Sequence, residues 1–150
     1  MRAEAVHLRF PAKAEYLLLA RLAVAGVARG VPLAQDEVTD LKLAVTEACG
    51  NAVRHAYPSG PPGEIELDLV PGVDRLELVV EDHGAGIELP VVEREASEVG
   101  GMGLSIIRAV VDELEVGPGA DGGTVVQMTK RAARPADGRG RREQGGGPEV

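Results

Sequence analysis

The sequence predicts a single α+β domain, and three observations carry that prediction. Apolar residues recur at three- and four-residue steps from Asp36 to Ala56, the pattern of one buried helix face. Glu64 to Val70 and Arg75 to Glu81 instead alternate apolar and polar residues on either side of Pro71-Gly72-Val73-Asp74, the pattern of an antiparallel hairpin. The chain has 150 residues and 44% hydrophobic content, which suits one domain with a real core and leaves little room for a second.

The elements follow in order. Val6, Leu8 and Phe10 alternate along an edge strand that Pro11 ends. A helix is expected from about Ala14 to Ala28. Its apolar run from Leu17 is interrupted by Arg21 and too short for a bilayer, so a buried helix is expected there. Gly30, Val31 and Pro32 break it, and Gln35-Asp36 offers an N-cap with Glu37 in the first turn of the next helix. That helix buries Val38, Leu41, Val45, Ala48, Ala52 and Val53, and stops in the Pro- and Gly-rich segment 57–63. After the hairpin, residues 83–99 lack periodicity and read as a mobile loop. Gly103 to Leu114 reads as a helix with Leu104, Ile107, Val111 and Leu114 on one face. Residues 117–123 read as a turn, and Thr124 to Thr129 as a closing strand. The domain is expected over 1–131. Residues 132–150, rich in Arg, Gly, Pro and Glu, are expected to form a disordered tail.

Composition narrows the function. A net charge of −8 disfavours nucleic acid and anionic membranes, and with aromatics at 2% there are few platforms on which bases could stack. The single cysteine, Cys49, has no internal disulfide partner. With no apolar leader at the N-terminus, this points to a reducing, cytoplasmic setting.

Three short segments carry candidate chemistry. Glu47, Asn51 and His55 lie one turn apart on the second helix, with Arg54 at the border of their stripe. Asn51 could offer a carbonyl oxygen to magnesium, leaving Glu47 to accept or orient a hydroxyl proton. The alternative is the solvated edge of an amphipathic helix. Asp82 ends a strand just before Gly84 and Gly86. A carboxylate there could accept a hydrogen bond from an amino group such as adenine's, with the glycines letting the backbone approach the ring; the alternative is a tight turn. Gly100-Gly101-Met102-Gly103 opens a helix whose exposed amides could meet a phosphate, or serves only as a hinge. Neither a dinucleotide-binding fingerprint nor a Walker loop is present.

Taken together, Glu47-Ala-Cys-Gly-Asn51-Ala-Val-Arg-His55-Ala-Tyr57, Glu81-Asp82-His-Gly84-Ala-Gly86-Ile87 and Gly101-Met-Gly103-Leu104-Ser-Ile-Ile resemble the N, G1 and G2 boxes of the GHKL (Bergerat-fold, histidine-kinase-like) ATPases. Within them the chain is most similar to the anti-sigma-factor serine/threonine kinases. The resemblance implies a two-layer α/β sandwich, with a mixed, mostly antiparallel sheet backed by helices and ATP bound under a lid. It also implies phosphorylation of a serine on an anti-anti-sigma partner of the STAS type by a protein that captures a sigma factor. By position, Glu47 would be the base, Asn51 would hold Mg2+ and Asp82 would read adenine. Gly84, Gly86, Gly101 and Gly103 would shape the pocket, with Arg54, His55, Ile87, Met102, Leu104 and Thr124 completing the nucleotide-binding set. Arg21 falls where the family binds its partners, and could equally be a snorkelling helix arginine. A homodimer fits the apolar first helix.

The segment between Ile87 and Gly100 departs from the family. It carries Glu88, Glu93, Glu95 and Glu98 against Arg94, where phosphate-transferring members bring basic or hydroxyl groups. A module that binds ATP and switches partners without catalysis is therefore the second expectation. A histidine-kinase catalytic domain is the third, disfavoured because no helical hairpin with a phosphoacceptor histidine is present.

Overall fold

Alternation along the strands and small residues along the helices build this fold. Its computed structural model describes residues 4–58, 63–85 and 103–133. The strands are β1 (Val6–Pro11), β2 (Glu64–Pro71), β3 (Arg75–Asp82), β4 (Glu113–Pro118) and β5 (Thr124–Arg131). They lie in the order β1-β2-β3-β5-β4. All four pairings among the described strands are antiparallel, in keeping with the mostly antiparallel sheet that the sequence reading expected. A single 3-10 turn, Ala14–Tyr16, leads into α1 (Leu17–Ala28). It is followed by α2 (Gln35–Asn51), which runs into a π-helical turn at Ala52–Ala56, and later by α3 (Leu104–Val110).

Ile65, Leu67 and Leu69 of β2 and Leu76, Leu78 and Val80 of β3 point to one face, in register as Leu67 opposite Val80 and Leu69 opposite Leu78. They meet Ala20, Val24 and Ala28 of α1 and Leu41, Ala44, Val45 and Ala48 of α2 in one buried cluster. The alanines let both helices lie close to the sheet. Each fully buried leucine or isoleucine contributes about 1.5–3 kcal/mol relative to an exposed one. The result is the expected two-layer α+β arrangement.

Four expectations need correction. The first helix is not buried around its circumference: it packs through Ala20, Val24 and Ala28, while Leu18, Leu19 and Leu22 stay 53%, 48% and 58% exposed. The N-cap of α2 is Ala34 rather than Gln35 or Asp36. Glu37 reaches back to accept the Ala34 N–H at 2.9 Å, which is the one half of a capping box that alanine permits. The helix predicted over 103–114 stops at Val110, and Leu114 belongs to β4. The β-branched pair Val110-Val111 and the alternation of Leu114 with Val116 favour the strand, and pairing with Met128 and Val126 of β5 rewards it. Finally, the turn predicted over 117–123 begins later, because Gly117 and Pro118 still pair with Val125 and Thr124.

The expected tail is tied down at its first two residues. The Ala132 N–H donates to Asp74 O at 2.7 Å and the Ala133 N–H to Glu37 Oε2 at 3.0 Å. Residues 134–150, and the predicted loop from 86 onward, lie outside the described residues. No described helix is long and apolar enough to cross a membrane.

Candidate functional site

Three segments far apart in sequence converge where α2 ends. Asn51 is the last residue of α2, and the turn after it widens to π geometry, so that Ala56 O comes to rest against the segment following β3. That carbonyl accepts the Ala85 N–H at 2.8 Å. Asp82, only 8% exposed at the end of β3, accepts the Gly84 N–H on Oδ1 at 3.0 Å. Gly84 is obligatory on packing grounds: a Cβ there would overlap the Ala56 carbonyl and stand 2.7 Å from Ala56 Cβ. Thr124, 5% exposed, is the direct cross-strand partner of Asp82. The preceding Gly123 has φ of 78°, and a Cβ on it would lie 2.7 Å from the Asp82 carbonyl carbon.

The third segment arrives through Gly103, whose φ of 64° starts α3. A Cβ at Gly103 would collide with Glu47 Oε2 and lie 3.3 Å from Glu47 Cδ. The Glu47 carboxylate is therefore packed over the backbone that opens α3. Leu104 anchors this helix start in the core. Asn51 is 6% exposed, and its Oδ1 accepts from Arg54 Nη2 at 3.1 Å.

The structure thus brings Glu47, Asn51, Arg54, Gly103 and Leu104 to one end of α2, and Asp82, Gly84 and Thr124 to the adjoining strand ends. His55 lies exposed in the π turn. Arg21 stands exposed on α1, flanked by the exposed leucines Leu18, Leu19 and Leu22. Gly86, Ile87, Gly101 and Met102 lie outside the described residues.

Sequence reasoning missed Ala56, whose carbonyl locks the Asp82–Ala85 turn, and Tyr57. The Tyr57 hydroxyl donates to Glu64 O at 2.8 Å and accepts the His83 N–H at 2.9 Å, fastening the same turn from its other side. An aromatic residue closing the first box was the only available signal for Tyr57. Cys49, buried between Glu47 and Asn51 in sequence, has its thiol pushed up to about 12 by burial, so it stays protonated and is no nucleophile.

The charges on the sheet's outer face are separate from this cluster. His83 Nε2 and Glu66 Oε2 are 2.9 Å apart. That hydrogen bond is the main reason the His83 pKa is raised and the Glu66 pKa lowered.

The amide of a carboxamide side chain, a carboxylate over a helix start, and a buried strand-end carboxylate with glycines around it suit a magnesium nucleotide. Residues 10–130 match the histidine kinase-like ATPase domain family. The serine-protein kinase RsbW of Bacillus pumilus (strain SAFR-032) is 36% identical over 138 residues, covering 83% of this chain and 84% of that protein. The serine-protein kinase RsbW of Bacillus licheniformis is 34% identical over 139 residues, covering 85% and 86%. The RsbU and RsbW domains of Rv1364c from Mycobacterium tuberculosis share the fold with a TM-score of 0.66 at 23% identity, over 89% of this chain and 34% of that one. The catalytic domain of histidine kinase ThkA shares it at 0.54 and 16% identity, over 84% and 95%. On the match over residues 10–130 and the likeness to RsbW along most of its length, the chain belongs to the histidine kinase-like (GHKL) ATPase family, in its RsbW-type serine kinase branch.

Proposed function

We propose that this chain is an ATP-dependent protein serine kinase that holds a sigma factor and phosphorylates an anti-anti-sigma protein of the STAS type. The observation that carries the reading is the Glu47 carboxylate packed over Gly103, one helical turn from the buried Asn51. Asp82 and Thr124 supply polar groups for the base, and the backbone opening α3 approaches the phosphates. Glu47 accepts the proton of the attacking serine hydroxyl as that oxygen bonds to the γ-phosphorus. The bond to the bridging oxygen breaks, and ADP leaves. Mg2+, held through Asn51, would supply neutralisation of the phosphate charge. Arg21, set among exposed leucines on α1, is the partner-binding residue of this proposal, and a cytoplasmic location fits the single buried thiol. The same apolar surface would serve a homodimer.

A catalytically silent ATP-binding switch is the second reading. One observation favours it: Arg54 already occupies Asn51 Oδ1, the atom that a magnesium ion would use. Two measurements separate the readings. Calorimetry should find ATP binding that depends on magnesium and is lost in Asn51→Ala. Glu47→Ala should bind ATP about as well as wild type yet transfer no phosphate to a STAS-type protein. Equal transfer by Glu47→Ala would remove that residue from the mechanism, and ATP binding by wild type without any transfer would establish the silent switch.

A further inference from the structure

We propose that Glu66, Glu81 and His83 form a binding site for a divalent zinc-type cation on the sheet face opposite the helices. Glu66 and Glu81 are direct cross-strand partners on β2 and β3. Their neighbours Ile65, Leu67 and Val80 are buried against the helices, so alternation turns both carboxylates to the other face. His83, two residues beyond Glu81, turns to that same face, while Asp82 between them faces the helix layer.

Two like charges directly opposed across a sheet repel, and the arrangement calls for a cation. Arg9 meets this demand only in part. Its Nε lies 3.0 Å from Glu64 Oε2, and its Nη2 lies 3.5 Å from Glu66 Oε1. The imidazole of His83 stands 2.9 Å from Glu66 Oε2, and one ligand atom from each of Glu66, Glu81 and His83 lies within 4.8 Å of the others. Tetrahedral ligands about 2.0–2.2 Å from zinc are about 3.3–3.6 Å apart, a closure within reach of small side-chain rotations. A second imidazole is at hand: His7 Nε2 on β1 is 3.7 Å from Glu66 Oε1.

The donor set decides the class of metal. Carboxylates alone suit magnesium or calcium, whereas imidazole nitrogen with carboxylate oxygens favours zinc and its neighbours. The ligands also stand on a rigid frame. They sit on two paired strands and on a residue whose backbone N–H is held by the Tyr57 hydroxyl, so little order is lost on binding. The site is independent of the nucleotide reading, because it uses none of that site's side chains.

Zinc sulfate titrated calorimetrically into the full chain, with magnesium in excess, tests the proposal. Wild type should bind one zinc per chain. His83→Ala and Glu66→Gln should each weaken binding about tenfold or more, and Asn51→Ala and His55→Ala should leave it unchanged. Cobalt(II) in place of zinc should give the intense visible absorption of a low-coordinate site, lost in His83→Ala. Circular dichroism melting of the exposed His83→Ala variant, expected to match wild type, separates ligand loss from misfolding. No zinc binding by wild type, equal affinity in His83→Ala, or loss in His55→Ala instead would each overturn the proposal.

Discussion

Replacing Gly84 by alanine should both destabilise the domain and loosen its nucleotide pocket. The added methyl has nowhere to go. It would overlap the Ala56 carbonyl, a backbone group fixed by the π turn, and lie 2.7 Å from Ala56 Cβ. The turn must therefore lift. Lifting it breaks the 2.8 Å bond from Ala85 N–H to Ala56 O and the 3.0 Å bond from Gly84 N–H to the Asp82 carboxylate. Overpacking of this kind costs about 1–3 kcal/mol, a neutral backbone bond about 1 kcal/mol, and the bond to the carboxylate somewhat more. A total of about 3–5 kcal/mol follows, which lowers Tm by about 10–15 °C in a domain of this size. ATP affinity should fall as well, since Asp82 loses the bond that orients it. Gly26→Ala is the matched contrast. Gly26 lies within α1, where a Cβ would meet nothing within 4 Å beyond its chain neighbours and the helix's own backbone, so alanine there should stabilise by up to about 1 kcal/mol. Thermal melts and calorimetric titration of ATP on both variants check this. A Gly84→Ala protein with wild-type Tm and wild-type affinity would refute the reasoning, because the turn would then not be locked against Ala56.

Three further predictions rest on separate contacts. Arg54→Ala removes a part-buried bond to Asn51 Oδ1 that contributes about 1 kcal/mol, so the magnesium concentration supporting half-maximal ATP binding should fall about fivefold; an increase would make Arg54 a ligand of the nucleotide rather than a competitor. Tyr57→Phe removes a hydroxyl that serves both His83 N–H and Glu64 O, which should cost about 1–2 kcal/mol in urea unfolding; an unchanged midpoint would show that water replaces it. Burial holds the Cys49 thiol up at about 12, above the value near 8.5 of an unfolded chain, so its contribution is full below about pH 8.5 and is lost as pH rises toward 12. Between pH 8 and pH 10, wild type should therefore lose about 2 kcal/mol more than Cys49→Ala, and parallel losses in urea unfolding would contradict the raised pKa.

How much was legible depended on whether a pattern was local. The hairpin from Glu64 to Asp82 and the helix from Gln35 could be read because their apolar periods of two and of 3.6 run without interruption and agree with the turns that bound them. The segment around Val111 could not. Its residues Leu104, Ile107, Val111 and Leu114 satisfy a helical spacing, while Leu114 and Val116 satisfy a strand spacing, and the two overlap. Tertiary pairing with β5 decides between them, and no window confined to 103–118 contains that partner. The exposure of Leu18, Leu19 and Leu22 was hidden for a related reason. An apolar run shows that a helix has surface to bury, but which face finds a neighbour is set by where α2 and β2 lie.

The site divides along the same line. Gly84, Gly103 and Gly123 are glycines because of what stands opposite them: Ala56 O, the Glu47 carboxylate and the Asp82 carbonyl. A sequence shows that a side chain is missing at a position without showing the atom that excludes it. The motif was therefore readable while its mechanics were not. The π turn extends this point to Arg54 and His55. Straight-helix spacing placed His55 over Asn51; in the structure His55 is exposed within the π turn and Arg54 donates to the Asn51 carbonyl oxygen. The same turn carries Ala56 O to Gly84. A single irregular turn after α2 therefore holds both Arg54, the partner of the magnesium-binding candidate, and Ala56, whose carbonyl fixes the turn beside the Asp82 carboxylate. Restoring regular helix there should disturb both ends of the pocket together.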